Sequence, residues 1–92
     1  MTKVMINIDE LSGIMYDCLN HSEDYDVCTI MSTLSNVLVE AALRAGYEPK
    51  EYKPGHVRID IPAGTEATET FRTVEAVIHQ VADQHPEYIK IY

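Results

Sequence analysis

The stretch HSEDYDVCTIMS, residues 21–32, holds the side chains best suited to chemistry: His21, Cys28 seven residues further on, and Ser32 four places beyond the cysteine. A thiolate is a strong nucleophile, and an imidazole within hydrogen-bond reach can take the thiol proton and later hand it to a leaving group near neutral pH. A helix starting just before Cys28 would favour the thiolate through its unpaired N–H groups and the positive end of its dipole. Ser32, one helical turn on, could hold the thiol or orient His21, or could bond its own backbone. The same residues also read more simply, with Cys28 as a small residue at the end of a core and His21 as a solvated loop histidine. Glu23, Asp24 and Asp26 cut both ways, since a carboxylate beside His21 would orient it whereas one beside Cys28 would disfavour the thiolate.

The other candidates carry less. Cys18 shares a strand face with Ile14 and Tyr16 and reads as core. Cys18, His21 and Cys28 lack the spacing of a zinc finger or ribbon and have no evident fourth ligand, so neither a metal nor a cofactor is expected. His56, His79 and His85 fall at a strand start, a helix flank and a helix end, and each is expected at the surface, with His85 suited to the negative end of its helix.

Two β-hairpins and two helices must position these groups. Val4, Ile6 and Ile8 alternate with Lys3, Met5 and Asn7, the period of a half-buried strand, and after the turn residues 9–13 a second strand can return over residues 14–20. Val27, Ile30, Met31, Leu34, Val37, Leu38, Ala41 and Ala45 recur at three and four residues and predict a helix of about five turns, with Asp26 as N-cap and Gly46 just past its end. Residues 47–53 predict a weaker edge strand containing Pro49, Pro54-Gly55 a turn, and residues 56–61 an alternating strand. Phe71, Val74, Val77, Ile78 and Val81 mark a second helix that begins near Thr65 or Thr68 and stops before Pro86, and residues 88–92 a last short strand. The expected fold is α+β in the order β-β-α-β-β-α-β, a two-layer sandwich with both helices on one face of a mainly antiparallel or mixed sheet.

With 92 residues, one domain spanning 1–92 is expected. The apolar fraction of 46% and charged fraction of 24% are those of a globular chain. Fifteen acidic against seven basic residues give a net charge of −8, which argues against nucleic acid or anionic lipid as a direct ligand and suits a basic polypeptide, though it serves solubility equally well. No apolar run approaches the roughly 20 residues of a membrane span, and residues 1–10 lack the features of a signal peptide. A cytoplasmic protein with reduced thiols is therefore expected.

Three segments resemble the Prp-type ribosomal-processing cysteine proteases of Gram-positive and related bacteria and their phages. DVCTIMSTLSNVLVEAAL resembles that family's Asp-x-Val-Cys-Ala-x-x-Ser helix, GHVRIDIP its Gly-Tyr-aliphatic strand, and HPEYIKIY its Tyr-Pro-Glu-Tyr ending. The resemblance implies a catalytic dyad of His21 and Cys28 with Ser32 in support, a homodimer, and a cysteine endopeptidase that removes an N-terminal extension from a large-subunit ribosomal protein. A phage copy would instead cleave a virion precursor, and a non-catalytic dimeric binding module of the same fold is a further alternative. In the protease reading, backbone N–H groups at the start of the first helix would hold the oxyanion. The chain departs from the family in a shorter His-to-Cys loop, in Asn20 where the family has glycine, and in Thr29 where it has a small residue, so substrate specificity and the reach of the loop are the properties these changes touch.

Overall fold

The computed structural model describes residues 1–92. In chain order the elements are β1 (Thr2–Asp9), β2 (Gly13–Leu19), α1 (Tyr25–Arg44), β3 (Glu51–Lys53), β4 (His56–Ile61), α2 (Thr68–Gln84) and β5 (Ile89–Ile91). The five strands form one mixed sheet in the order β3-β4-β2-β1-β5. β1 with β2, β2 with β4 and β3 with β4 are antiparallel, and β1 with β5 is parallel.

Register follows from the alternation. Ile6 lies opposite Tyr16 and Tyr16 opposite Ile59, while Val4 faces Cys18 and Cys18 faces Val57. One sheet face thus carries Val4, Ile14, Tyr16, Cys18, Ile59, Ile61 and Ile89, which join residues of α1 and α2 in a single buried cluster. Phe71, Val74, Ile78 and Val81 are the contribution of α2. The result is the expected two-layer α+β sandwich.

α1 differs in detail from its expected form. Its N-cap is Asp24, not Asp26: the Asp24 carboxylate accepts from the Val27 N–H at 3.0 Å. The buried face is Val27, Met31, Ser35, Leu38, Val39 and Ala42, whereas Val37, expected inside, is exposed. The rotation has a polar cause. The Ser35 hydroxyl turns inward to meet the Tyr16 phenol at 2.7 Å, which brings Val39 and Ala42, four and seven residues on, into the core. By length and composition α1 is apolar enough to cross a membrane, against the expectation that no such run exists, but here it is the core helix of the sandwich.

At its C-terminus the Gly46 N–H bonds the Leu43 carbonyl and the Tyr47 N–H bonds that of Ala42. This is a Schellman closure with Gly46 at φ +95°. Because Tyr47 is committed to the helix end, the following edge strand is shorter than expected and covers only Glu51–Lys53.

The turn joining β1 to β2 depends on Gly13. Its φ is +112°, and a Cβ there would lie 2.6 Å from the Ile61 carbonyl oxygen. Gly13→Ala is expected to lower stability by about 1–3 kcal/mol, read as a lower urea midpoint at unchanged slope.

Candidate active site

β2 and α1 deliver the two reactive side chains. His21 lies two residues beyond the end of β2, and Cys28 is the fourth residue of α1. The imidazole Nδ1 is 3.5 Å from the Cys28 Sγ. The six intervening residues are enough because the chain does little travelling between them: Asn20 turns at once and Asp24 already begins the helix.

Asn20 is the only non-glycine residue with positive φ, at +70°. That left-handed conformation is the one glycine adopts freely and asparagine tolerates best among other residues, which accounts physically for the substitution before His21. Asn20 is held through both of its backbone polar groups: its N–H donates to the Gly55 carbonyl at 2.8 Å, and its carbonyl accepts from the buried Thr2 hydroxyl at 3.1 Å. Gly55, at φ +83° in the β3–β4 turn, backs the imidazole, and a Cβ there would sit 3.8 Å from the ring.

The three loop acids do not pair with His21. Asp24 caps the helix. Glu23 meets the Met1 amine, whose hydrogen bond holds the Glu23 carboxyl below the usual range. Asp26 is exposed in the first turn of α1.

Capping at Asp24 also changes the oxyanion expectation. The Val27 N–H is bonded to the Asp24 side chain and the Cys28 N–H to the Asp24 carbonyl at 2.9 Å. The donors left at the helix start are those of Tyr25 and Asp26. Ser32 is exposed and lines the same cavity as Cys28, but its hydroxyl bonds neither His21 nor its own backbone.

That cavity, about 490 Å³, is lined by Cys18, Asn20, His21, Cys28, Ser32 and residues 52–57 among others. No Asp or Glu is among its lining residues, although the chain has 15; Lys53 and His56 contribute to its wall, but strand register puts both side chains on the opposite sheet face. The negative charge sits outside the groove.

His56 corrects the expectation of a plain surface histidine. Its Nε2 lies 2.8 Å from Asp17 Oδ1, and Arg58 approaches the other Asp17 oxygen at 3.8 Å. These groups share the sheet face opposite the helices, where Asp17 is only 6% exposed. Leu19 pairs with His56 and Asp17 with Arg58 across β2 and β4, so the contact from Asp17 to His56 is a diagonal cross-strand one. Only knowledge of that register could have found it. His79 is exposed as expected, and His85 caps α2 through its backbone N–H to the Val81 carbonyl.

Cys18 and Cys28 are both free but differ in setting: Cys18 is buried and Cys28 half-exposed. Burial pushes the Cys18 thiol above its ordinary value, which lowers its thiolate fraction as well as its access. Titration of the native protein with a thiol-exchange reagent at pH 8 is expected to modify Cys28 promptly and Cys18 only on unfolding, with peptide mapping to assign the sites.

By sequence, the chain matches no protein-family model and no curated protein. By structure it is similar to an essential ribosomal processing protease Prp from S. aureus in complex with a covalently linked product peptide, with a TM-score of 0.80 and 20% identity over 99% of this chain and 97% of that one. It is similar to SMU.848 from Streptococcus mutans at a TM-score of 0.73 and 22% identity, covering 99% and 91% of the two chains. A complex of the S. aureus Prp with a substrate peptide aligns at a TM-score of 0.66 and 17% identity, covering 100% and 98%. The likeness expected from three short segments thus extends to the fold of nearly the whole chain.

Proposed function

We propose that the chain is a Prp-type cysteine endopeptidase in which His21 and Cys28 form the catalytic dyad. The observation that carries this reading is the approach of His21 Nδ1 to Cys28 Sγ at 3.5 Å in a groove large enough for a peptide, on a fold shared with Prp structures that hold product and substrate peptides. His21 takes the thiol proton as Sγ attacks the scissile carbonyl and a C–S bond forms. The oxyanion develops near the start of α1, where the dipole and the unpaired N–H groups favour negative charge. Collapse breaks the C–N bond, His21 returns the proton to the leaving amine, and water hydrolyses the thioester.

The substrate in this proposal is the basic N-terminal extension of a large-subunit ribosomal protein, cleaved in the cytoplasm by a homodimer. The acidic exterior attracts the basic chain, while the carboxylate-free groove receives the uncharged segment around the scissile bond. Ser32 supports the thiol from the next turn of α1.

The test is incubation with a ribosomal protein bearing its extension, read by intact mass. The wild-type chain is expected to release the extension, Cys28→Ala to release none, and His21→Ala to be slower by about 10²–10⁴-fold. Cleavage of a virion precursor alone would move the substrate to a phage protein, and peptide binding without turnover by the wild type would identify a binding module.

A further inference from the structure

The groove does not end at the thiol. It continues along α1 past Met31, Ser32 and Ser35 to Asn36, with the β3–β4 hairpin as its opposite wall. Tyr52 lies opposite Val57, and Val57 opposite Cys18, so Tyr52 belongs to the helix-bearing side of the sheet. It stands on an edge strand whose three residues are all exposed, and is itself 58% exposed. Its hydroxyl nevertheless donates to the Asn36 Oδ1 at 2.6 Å. No other side-chain hydrogen bond joins α1 to the hairpin.

We propose that Tyr52 and Asn36 form a clasp that closes the far end of the groove and sets how long an extended peptide can lie beside α1. The inference rests on the peptide-binding reading given above. Asn36 is eight residues beyond Cys28, about 12 Å along a helix axis at 1.5 Å per residue. An extended chain advances about 3.3 Å per residue. A segment of three or four residues therefore fits between the thiol and the closed clasp, and a longer one must break the Tyr52–Asn36 bond.

Both partners are solvent-accessible, so each is rehydrated when the bond opens, and the bond's net worth is modest. The clasp accordingly discriminates by length through a closed-state population that long ligands must displace, while short ligands are indifferent to it. Tyr52 and Asn36 are specificity-determining residues in this scheme and take no part in the bond chemistry.

Two chloromethyl ketones that alkylate Cys28 test this, one carrying a single blocked amino acid and one carrying a hexapeptide with the same terminal residue. Rates at Cys28 are followed by mass spectrometry with peptide mapping to separate Cys18. Tyr52→Phe and Asn36→Ala are each expected to raise the long-to-short rate ratio by about 2- to 10-fold, and the double variant no further than either single one. An unchanged or lowered ratio in Tyr52→Phe, or additive effects in the double variant, would overturn the clasp. The short reagent reports on the dyad independently: if His21→Ala leaves its rate unchanged the protease reading fails, whereas the ratio still decides the clasp.

Discussion

The hydrogen bond between the Tyr16 phenol and the Ser35 hydroxyl, 2.7 Å long and buried, fixes the rest of the structure. Tyr16 is on β2, whose end leads into His21; Ser35 is on α1, two turns beyond Cys28. The bond therefore sets both the rotation and the axial position of the helix over the strand. Apolar packing alone tolerates sliding, because one methyl group replaces another at little cost. A buried hydroxyl has only one acceptable position, since leaving it unpaired costs about 1–3 kcal/mol. Burial holds the Tyr16 phenol well above its ordinary range, which keeps it neutral, and either hydroxyl of the pair can donate.

From that fixed frame the site is assembled by backbone contacts more than by charge. Asn20, just ahead of His21, is anchored by Thr2 at its carbonyl and by Gly55 at its N–H, and no acid bonds the imidazole. Orientation comes from the left-handed turn at Asn20 and from the flat surface that Gly55 presents to the ring. The imidazole approaches the Cys28 Sγ with no third polar side chain hydrogen-bonded to its ring. The loop acids act at the periphery, where Asp24 organises the helix start that receives the oxyanion in the proposed reaction.

The element order, both hairpins and both helices were legible because burial imposes periods of two and of 3.6 on the apolar residues. Proximity of His21 and Cys28 was legible as a candidate, since both are joined by one short segment. Asp24 as cap, in place of the expected Asp26, was not legible, because the decision falls to whichever carboxylate meets a free N–H. Ser35 is not among the apolar positions that mark the helix; its inward turn requires a partner, Tyr16, 19 residues away in sequence. His56 and Asp17, or Tyr52 and Asn36, meet only through strand register and helix placement, which no local pattern encodes. The groove's freedom from carboxylates is equally invisible in a net charge of −8.

β5 pairs with β1, joining Ile89 to Thr2 and Ile91 to Val4. Thr2 also donates its N–H to the Tyr88 carbonyl, and Tyr92 donates to that of Val4. Completing the sheet thus encloses nearly the entire chain in a single loop, whose closure entropy grows with its length. The pairs of β2 with β1 and with β4 enclose far shorter loops and carry the site. Local opening at the β1–β5 seam would unzip the ends of the domain and free the Thr2 side of the Asn20 anchor, so the solvent protection of the seam amides and the order of the histidine platform are parts of one cooperative unit.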